Sequence, residues 1–319
     1  MKAIVQASYG SPDGLVLREI DKPPIGDDEV LVRVLAASVN AYDWFMMKKL
    51  THFIGKLRRL PPTRLRGTDL AGLVDAVGKN VTRFKPGDEV FGTGIGSFAE
   101  YAVSSERRLA PKPRNLNFEQ AATLGIAALT ALQGLRDYAH VQPGQRVMVY
   151  GAGGGVGTFA VQIAGALGAE VTAVSSTGNV ERLRSIGADD LIDYTKEDFT
   201  KRGELYDVLF DVGGNRSLSD CRRVLGPTGL HVLAGAGDKA LALLSRLVEG
   251  LIRSRIGRQR IGTFMARGSY EDLVVLKDLA EAGKLTPVID RTYPLSETAD
   301  ALRYVGTRRV RGKVVIRVA

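Results

Sequence analysis

The stretch that decides the fold is VMVYGAGGGVG, residues 147–157, and an apolar helical pattern follows it through Leu167. A strand, a glycine-dense turn and a helix in this order are typical of a dinucleotide-binding turn. Small residues let the backbone approach a pyrophosphate, and the helix N-terminus supplies unpaired N–H groups there. An ordinary tight turn between a strand and a helix is the alternative interpretation. In a nucleotide-binding turn, the contacting residues would be Gly151, Ala152, Gly153, Gly154, Gly155 and Val156.

The context of the turn supports the nucleotide interpretation. Context is needed because the motif is imperfect, with Ala152 in place of the first glycine of G-x-G-x-x-G. From about Phe118 the chain alternates strands and helices, which is typical of a parallel sheet with helices on both faces. The predicted strands are residues 146–150, 170–175, 190–193, 207–212, 230–234 and 261–266, and the predicted helices are 159–167, 180–186, 218–225 and 270–282.

The segments on either side of this α/β region are β-rich. Short β-rich runs separated by Gly, Pro and Asp turns fill the first part of the chain, and the same texture returns after Pro287. We therefore predict a β-rich domain in two pieces, residues 1–117 and 287–319, with a doubly wound Rossmann domain, residues 118–286, inserted between them. The strands expected in the β-rich domain are 3–6, 30–36, 71–77, 89–92, 98–103, 287–293 and 313–318, with a helix at 297–305.

The end of the second strand of the α/β region bears on which dinucleotide binds. Folds that prefer NAD place Asp or Glu there to bind the ribose hydroxyls, whereas this chain has Ser175, Ser176 and Asn179. With no carboxylate in that stretch to repel a 2′-phosphate, these side chains and Arg182 can donate hydrogen bonds to it. We therefore expect NADPH rather than NADH. The alternative is that the two serines form a turn and Asn179 caps the next helix.

Composition limits the remaining classes of function. The 319 residues are 45% hydrophobic and 25% charged, which suits a globular protein with a sizeable core. Apolar runs stay below the roughly 20 residues of a membrane-spanning helix, and we recognise no export signal before the first strand. The single cysteine, Cys221, fits a reducing compartment, so we expect a cytoplasmic protein. The net charge of +9 indicates either a solvated basic surface with a pocket for an anionic cofactor, or an anionic partner.

Short motifs extend this picture over nearly the whole chain. They are SVNAYD (38–43), GTDLAG (67–72), VG (77–78), FKPGDEV (84–90), GSFAEY (96–101), LTA (129–131), Gln162, GAD (187–189), IDY (192–194) and GKVV (312–315). Together they resemble the zinc-independent quinone oxidoreductases, the zeta-crystallin-like branch of the medium-chain dehydrogenase/reductase superfamily. Within that branch the chain is most similar to plastid-envelope and mitochondrial quinone-reductase-like proteins. The resemblance implies a GroES-like fold for the β-rich catalytic domain, and a homodimer joined along sheet edges.

The same resemblance predicts that the chain binds no metal. Zinc-dependent relatives have a cysteine where this chain has Asn40, Gly-His-Glu where it has Gly67-Thr68-Asp69, and a further cysteine near residues 124–126. Their structural zinc lobe needs four cysteines, and this chain has one. Zinc needs several closely placed thiolates, imidazoles or carboxylates, so we expect neither site. Structural or surface roles are expected for the three scattered histidines, His52, His140 and His231.

The resemblance places three candidate catalytic residues in SVNAYD. Asn40 and Asp43 are implied near the mouth of the nicotinamide cleft, and Asn40 is the first choice for positioning the substrate. Tyr42 either donates a proton or hydrogen bond through its phenol or packs in the core. Asp43 either belongs to this site or caps the helix that starts near Trp44.

For the cofactor, the resemblance implies contacts beyond the glycine turn. Thr130 is implied beside the nicotinamide and Tyr194 near the adenosine phosphate. Lys313 would meet a cofactor or substrate anion, or would be a surface lysine. The remaining implied contacts are Val212 and Gly213 on the adenine side, and Gly235 and Ala236 beside the nicotinamide ribose.

Without a metal to activate an alcohol, the expected reaction is hydride transfer from NADPH to a quinone or an α,β-unsaturated carbonyl compound. The protein would orient the acceptor, exclude water and stabilise the charge on the acceptor oxygen. The alternative is an NADPH-binding protein with little turnover and a structural or regulatory role at RNA or a membrane. We recognise no RNA-binding module, so no nucleic acid partner is expected. The basic amphipathic segment 241–256 either touches an anionic membrane surface or covers a core, a pocket or a subunit contact.

Overall fold

The computed structural model describes residues 1–8, 10–47, 65–234 and 258–319. The chain divides into two units. Unit 1 comprises Met1–Leu129, Arg267–Gly283 and Pro287–Ala319, and unit 2 comprises Thr130–Ala266 and Lys284–Thr286. Several positions named from the sequence lie outside the described residues, namely His52, Gly235, Ala236 and the segment 241–256.

The strands of the described residues are β1 (Lys2–Gln6), β2 (Leu15–Glu19), β3 (Glu29–Val39), β4 (Asp69–Val77), β5 (Glu89–Thr93), β6 (Tyr101–Ser105), β7 (Leu109–Pro111), β8 (Arg146–Tyr150), β9 (Glu170–Ser175), β10 (Asp190–Asp193), β11 (Tyr206–Asp211), β12 (Leu225–Leu233), β13 (Arg260–Thr263), β14 (Ile289–Pro294) and β15 (Lys313–Arg317). The helices are α1 (Ala41–Met46), α2 (Phe118–Ala122), α3 (Ile126–Leu132), α4 (Gly155–Ala166), α5 (Val180–Ser185), α6 (Leu218–Arg223), α7 (Tyr270–Glu281) and α8 (Thr298–Gly306). A π-helical turn, Gln133–Tyr138, follows α3.

Unit 1 is built on a mixed sheet with the order β14-β15-β3-β4-β5-β7, and β6 also pairs with β3. The apolar residues of β3, together with those of β4 and β15, supply buried side chains such as Val32, Leu70 and Ile316 to one hydrophobic core. Both β4 and β15 run antiparallel to β3. The carboxyl end of β3 therefore lies beside the amino ends of β4 and β15.

Unit 2 is built on a sheet with the order β10-β9-β8-β11-β12-β13, in which all neighbours are parallel. The first of these strands, β8, lies in the middle, and the chain extends the sheet first to one side and then to the other. Val147, Met148 and Val149 on β8 are fully buried, as expected of a strand covered on both faces. Unit 2 is therefore a doubly wound sheet in which the order reverses between β8 and β11.

The predicted α/β fold class is confirmed, and three predicted strands, 146–150, 170–175 and 190–193, have the observed bounds. The sequence analysis missed β2 and β7. In β2 no residue is buried, so it lacks the alternation that marks a half-buried strand. β7 has only three residues. Strand prediction therefore failed for a strand without buried residues and for one of only three residues.

The division into units has the predicted bound at residue 287 but differs from the one at residue 118, because unit 1 extends to Leu129 and also includes Arg267–Gly283. Both α2 and α7 belong to unit 1, although the sequence analysis assigned them to the cofactor domain. The Asn115 Nδ2 atom donates to the Ala280 carbonyl at 2.8 Å, and Glu281 accepts the Arg114 N–H at 3.0 Å. These bonds hold the end of α7 to the segment before α2. Apolar periodicity identifies a helix but does not say which sheet it packs against.

Candidate functional site

The glycine turn of unit 2 connects Tyr150 at the end of β8 to α4, which begins at Gly155. Gly151 has a φ of +85°, and a Cβ on Gly157 would lie 2.3 Å from the Gly151 carbonyl oxygen. The turn itself therefore needs both glycines. Gly154 differs, because a Cβ there would meet only the Gly151 oxygen, at 3.6 Å, within the described part of the chain. The space over Gly154 is open, so this turn fits a bound pyrophosphate.

Segments that follow β9 and β11 lie against this turn. Gly151 and Ala152 donate their N–H groups to the Val174 carbonyl on β9, at 3.2 and 3.1 Å. A Cβ on Gly151 would lie 2.8 Å from the nitrogen of Gly213, which follows β11 together with Val212. Three predicted parts of the cofactor site thus meet at the carboxyl ends of β8, β9 and β11. Nucleotides bind at this edge of doubly wound sheets.

The residues predicted to recognise the 2′-phosphate follow β9. The Asn179 Nδ2 atom donates to Ser176 Oγ at 3.4 Å, and Ser175 is buried beside them. A Cβ on Gly153 would lie 2.4 Å from Asn179 Nδ2, so the amide lies against the glycine turn. The Asn179 side chain makes no capping bond to α5, so the capping interpretation is wrong. Its buried Oδ1 atom has no partner among the described residues, and a ribose hydroxyl would satisfy it.

A carboxylate that the sequence analysis overlooked lies beside this segment. Asp193, at the end of β10, accepts hydrogen bonds from the hydroxyl of Thr177 and from the backbone N–H of Thr195. These bonds, that of Thr177 first, lower the pKa of Asp193 to about 2. The exposed Tyr194 follows it and donates its N–H to the Ser175 carbonyl at 3.0 Å. The motif IDY (192–194) includes Asp193, but the resemblance implies a cofactor contact only for Tyr194.

A buried polar group lies under the sheet of unit 2. His231 Nε2 is 3.1 Å from Asp211 Oδ2, and the potential ligand atoms of Asp211, Cys221 and His231 lie within 4.8 Å of one another. His231 is therefore buried and paired in the core, in keeping with the structural role that was one of the two expected for the histidines. Asp211 also accepts the Gly214 N–H at 2.7 Å. Through that bond it holds the loop that carries Gly213 against the glycine turn.

In unit 1 the strand register assembles a second polar group. Ser38 on β3 lies opposite Asp69 on β4, and Val39 lies opposite Val314 on β15. This places the residue after β3, Asn40, next to the first residues of β4 and β15. We call the resulting set the Asn40 cluster, and its members are Ser38, Asn40, Asp43, Thr68, Asp69 and Lys313.

Both ends of the Asn40 side-chain amide are held. The Oδ1 atom accepts a hydrogen bond from Lys313 Nζ at 2.6 Å, and the Nδ2 atom donates to Asp69 Oδ2 at 2.8 Å. Asp69 also accepts bonds from Ser38 Oγ and the Ile126 N–H, both at 2.8 Å. Lys313 is 2% exposed, so the surface-lysine interpretation is wrong. Burial lowers the pKa of its ammonium group.

The other two predicted catalytic residues have contrasting environments. Asp43 is buried, and it accepts the Asn40 backbone N–H at 2.8 Å and the Thr68 hydroxyl at 3.3 Å. The first bond is the contact expected of helix capping. Burial raises the pKa of Asp43 to about 7, and the charge of nearby Asp69 acts in the same direction. Tyr42 is 50% exposed, so the core-packing interpretation is wrong for it.

Two family models match parts of this chain. Residues 26–114 match the alcohol dehydrogenase GroES-like domain, and residues 186–316 match the zinc-binding dehydrogenase family. The chain is 35% identical over 331 residues to 2-methylene-furan-3-one reductase of Solanum lycopersicum, covering 99% of this chain and 79% of that protein. It is 34% identical over 331 residues to the chloroplastic NADPH-dependent alkenal/one oxidoreductase of Arabidopsis thaliana, with the same coverage.

Comparison with a solved structure indicates the branch of the superfamily to which this chain belongs. The quinone oxidoreductase from Coxiella burnetii superposes with a TM-score of 0.87 at 30% identity, covering 100% of this chain and 99% of that chain. This chain belongs to the quinone oxidoreductase branch of the medium-chain dehydrogenase/reductase superfamily. The predicted family, the GroES-like and Rossmann folds and the assignment as an oxidoreductase are therefore confirmed.

Within this quinone oxidoreductase, the positions of the missing zinc ligands converge on the Asn40 cluster. The resemblance stated above matches Asn40 to the cysteine and Thr68 to the histidine of zinc-dependent relatives, and it places their further cysteine near residues 124–126, where the Ile126 N–H bonds Asp69. The cluster contains amide, hydroxyl and carboxylate groups around a buried ammonium, with no thiolate or imidazole. A zinc ion here would lie beside the Lys313 ammonium, so these residues do not fit the catalytic zinc of the family.

Some parts of the site were visible in the sequence only indirectly. Asp69 and Ser38 appeared in quoted motifs but were not named as site residues, because their proximity depends on the pairing of β3 with β4. Thr130 lies on α3 and is partly buried. Its contact with the nicotinamide stays a prediction. The predicted contacts of Gly235 and Ala236 also stay predictions.

Proposed function

We propose that this oxidoreductase transfers hydride from NADPH, without zinc, to an α,β-unsaturated carbonyl compound, with quinones as a second class of acceptor. The observation that carries the proposal is the buried amide of Asn40, which Lys313 and Asp69 hold in one orientation. The relatives named above support it, since one is a 2-methylene-furan-3-one reductase and another an NADPH-dependent alkenal/one oxidoreductase.

Residues of unit 2 would hold NADPH, which supplies the hydride when bound. The open backbone at Gly154 and the first N–H groups of α4 would receive the pyrophosphate. Hydroxyls of Ser175 and Ser176 would donate hydrogen bonds to the 2′-phosphate. The carboxylate of Asp193 is already engaged by threonine hydroxyls, which keeps it from competing for these donors.

Residues of unit 1 would act on the acceptor. As hydride reaches the β-carbon of an enone, negative charge collects on the carbonyl oxygen. A fixed N–H donor stabilises that charge without having to reorganise. We assign this donor role to Asn40. Asp43 supports it by accepting the Asn40 backbone N–H, which fixes the start of α1.

The reaction also consumes one proton, which an enone receives at the α-carbon and a quinone receives on oxygen. Solvent supplies this proton in our proposal. The phenol of Tyr42 is 50% exposed and can pass it to the substrate. Because water can replace the phenol in this role, we expect Tyr42 to contribute less to the rate than Asn40.

The proposal is tested by following NADPH absorbance with a panel of simple enones and quinones, together with elemental analysis of the active protein. We expect NADPH oxidation with enones, weaker oxidation with NADH, and no stoichiometric zinc. Binding of NADPH without turnover on any acceptor would instead support a structural or regulatory role. Activity that requires zinc would contradict the proposed mechanism.

We further propose a homodimer in the cytoplasm. No helix within the described ranges has both the length and the apolar composition to cross a bilayer. β13 ends the sheet of unit 2 on one side among the described strands, and an edge strand of this kind can pair with its counterpart in a second copy. Sedimentation analysis tests the dimer, and a tagged chain imaged in cells tests the location. The proposed peripheral membrane contact of residues 241–256 is tested by flotation with anionic vesicles.

A further inference from the structure

We infer that Lys313 and Asp69 are positioning residues that fix the polarity of the Asn40 amide, so that its second Nδ2–H is held ready to donate to the substrate. The inference rests on the proposed hydride transfer and narrows its substrate class. The acceptor must carry a hydrogen-bond-accepting oxygen that is conjugated to the carbon receiving the hydride.

An asparagine amide has two ends of similar shape and opposite polarity, so its neighbours decide which way it points. A lysine ammonium can only donate hydrogen bonds, and an ionised carboxylate can only accept them. Asn40 Oδ1 faces the Lys313 ammonium at 2.6 Å, and Nδ2 faces Asp69 Oδ2 at 2.8 Å. Rotating the amide by half a turn would set donor against donor and acceptor against acceptor.

The two neighbours are themselves fixed. Asp69 accepts from Ser38 Oγ and from the Ile126 N–H, and a Cβ on Gly125 would lie 2.3 Å from Asp69 Oδ1. The Lys313 Nζ atom also lies 3.4 Å from the Val39 carbonyl oxygen and 3.5 Å from Asp69 Oδ2. Asp69 is fully buried, and Lys313 almost so. The pair therefore forms a rigid polar frame beneath Asn40.

One hydrogen of the Asn40 amide is left over. The other hydrogen on the Nδ2 atom forms a bond with Asp69. Within the described part of the chain, no further bond to Nδ2 is present. Asn40 is 7% exposed, so the residue is buried but not completely enclosed. The remaining N–H is the group that an acceptor oxygen would meet.

This fixed polarity favours reduction of a carbonyl-conjugated carbon. The acceptor oxygen gains negative charge during the transfer, so its bond to the N–H strengthens toward the transition state.

Lys313→Met tests the inference because it removes the donor to Oδ1 while keeping a long apolar side chain. We expect kcat with a simple enone to fall about 10- to 100-fold, with the Kd for NADPH within about twofold of wild type. Lys313→Arg should recover most of the lost kcat, since a guanidinium also only donates. Lys79→Met is the matched control, because Lys79 is an exposed lysine of the same unit, and it should change neither value.

The polarity can also be observed without turnover, by NMR of the Asn40 side-chain amide assigned by its loss in Asn40→Ala. In wild type we expect one Nδ2 hydrogen to exchange slowly with solvent, because it bonds Asp69. The other should exchange fast and shift downfield when the saturated ketone product is added. In Lys313→Met the slow hydrogen should exchange faster than in wild type, because Asp69 alone then orients the amide.

The outcomes separate the inference from the proposed function. Wild-type protein that binds NADPH but reduces no enone overturns the proposed function, and the hydrogen-exchange pattern then still decides whether the amide is fixed. An unchanged kcat in Lys313→Met overturns the inference alone. So does equal loss of kcat and NADPH affinity, which would indicate a merely structural lysine. If Lys313→Met does not fold, two equally fast amide hydrogens in wild type would overturn it.

Discussion

The glycine turn of unit 2 and the Asn40 cluster of unit 1 are built in opposite ways. The turn occupies residues 151–157, one continuous stretch, and its binding surface is backbone that carries no side chain at Gly154. The cluster takes side chains from the ends of three strands and from α1, and the bonded Asn40 and Lys313 are 273 residues apart. The glycine turn depends on the open space over Gly154, and the Asn40 cluster depends on which of its groups donate and which accept hydrogen bonds. Substitutions should therefore damage them through different physical quantities.

The largest effect is expected at the turn, where Gly154→Asp would put a carboxylate into the space proposed for the pyrophosphate. The chain itself has room for a Cβ there, so the protein should fold. Charge repulsion and lost backbone approach should weaken NADPH binding at least about 100-fold, measured by calorimetry.

Gly165→Asp is the matched control, because Gly165 lies on α4, the helix that follows Gly154, and a Cβ on Gly165 would have nothing within 4 Å. It should bind NADPH with wild-type affinity. Normal binding by the Gly154 variant would mean that the turn is only a structural connection.

A somewhat smaller effect is expected from Asn40→Ala, which removes the proposed donor to the acceptor oxygen. We expect kcat with an enone to fall about 100-fold, with the Kd for NADPH unchanged, by steady-state kinetics and calorimetry. Tyr42→Phe should lower kcat by less than about fivefold, because solvent replaces the exposed phenol. A reversed order of these two effects would move the catalytic role from the amide to the phenol.

Asp43 in the Asn40 cluster and Asp193 near the glycine turn contribute to the stability of the protein with opposite dependence on pH. Burial raises the pKa of Asp43 from 3.8 to about 7, so the folded state holds a proton there that the unfolded state has lost. Its stabilisation is complete below pH 3.8 and is lost as the pH rises through about 7. Asp193 has the opposite sign, because hydrogen bonds lower its pKa to about 2. Its stabilisation is present above its ordinary pKa of 3.8 and is lost as the pH falls through about 2.

Urea denaturation across the pH range tests this contrast. In wild type, the free energy of unfolding should fall by an amount on the order of a few kcal/mol as the pH rises from about 4 to about 7, and Asp43→Asn should abolish this fall. Asp193→Asn should leave that range unchanged and flatten only the acid limb. Equal pH profiles for wild type and Asp43→Asn would show that this carboxyl group is ionised at neutral pH.

The smallest effect is expected for Ser176→Ala, which removes one proposed donor to the 2′-phosphate. The Kd for NADPH should rise about three- to tenfold, and the Kd for NADH should not change, because only the phosphorylated cofactor uses this hydroxyl. Equal weakening of both cofactors would place Ser176 at a part of the nucleotide that they share.

Local patterns made much of this molecule predictable. The strands of unit 2 are apolar runs bounded by turns, and the glycine turn is contiguous, so the Rossmann part followed from the sequence. The Asn40 cluster did not, because residues 38, 69 and 313 meet only through the pairing of β3 with β4 and β15. The sequence also could not show that Lys313 is buried, since a lysine next to Arg311 and Gly312 has the composition of a surface turn.

The late position of Lys313 in the sequence also sets the order in which the two sites can form during synthesis. A nascent chain acquires β3 and β4 early, then the whole of unit 2, and only afterwards β15, which pairs with β3. Until β15 has left the ribosome, Lys313 can neither donate to Asn40 Oδ1 nor pair with Asp69. Nascent chains can therefore complete the sheet of unit 2 before the Asn40 cluster has its lysine.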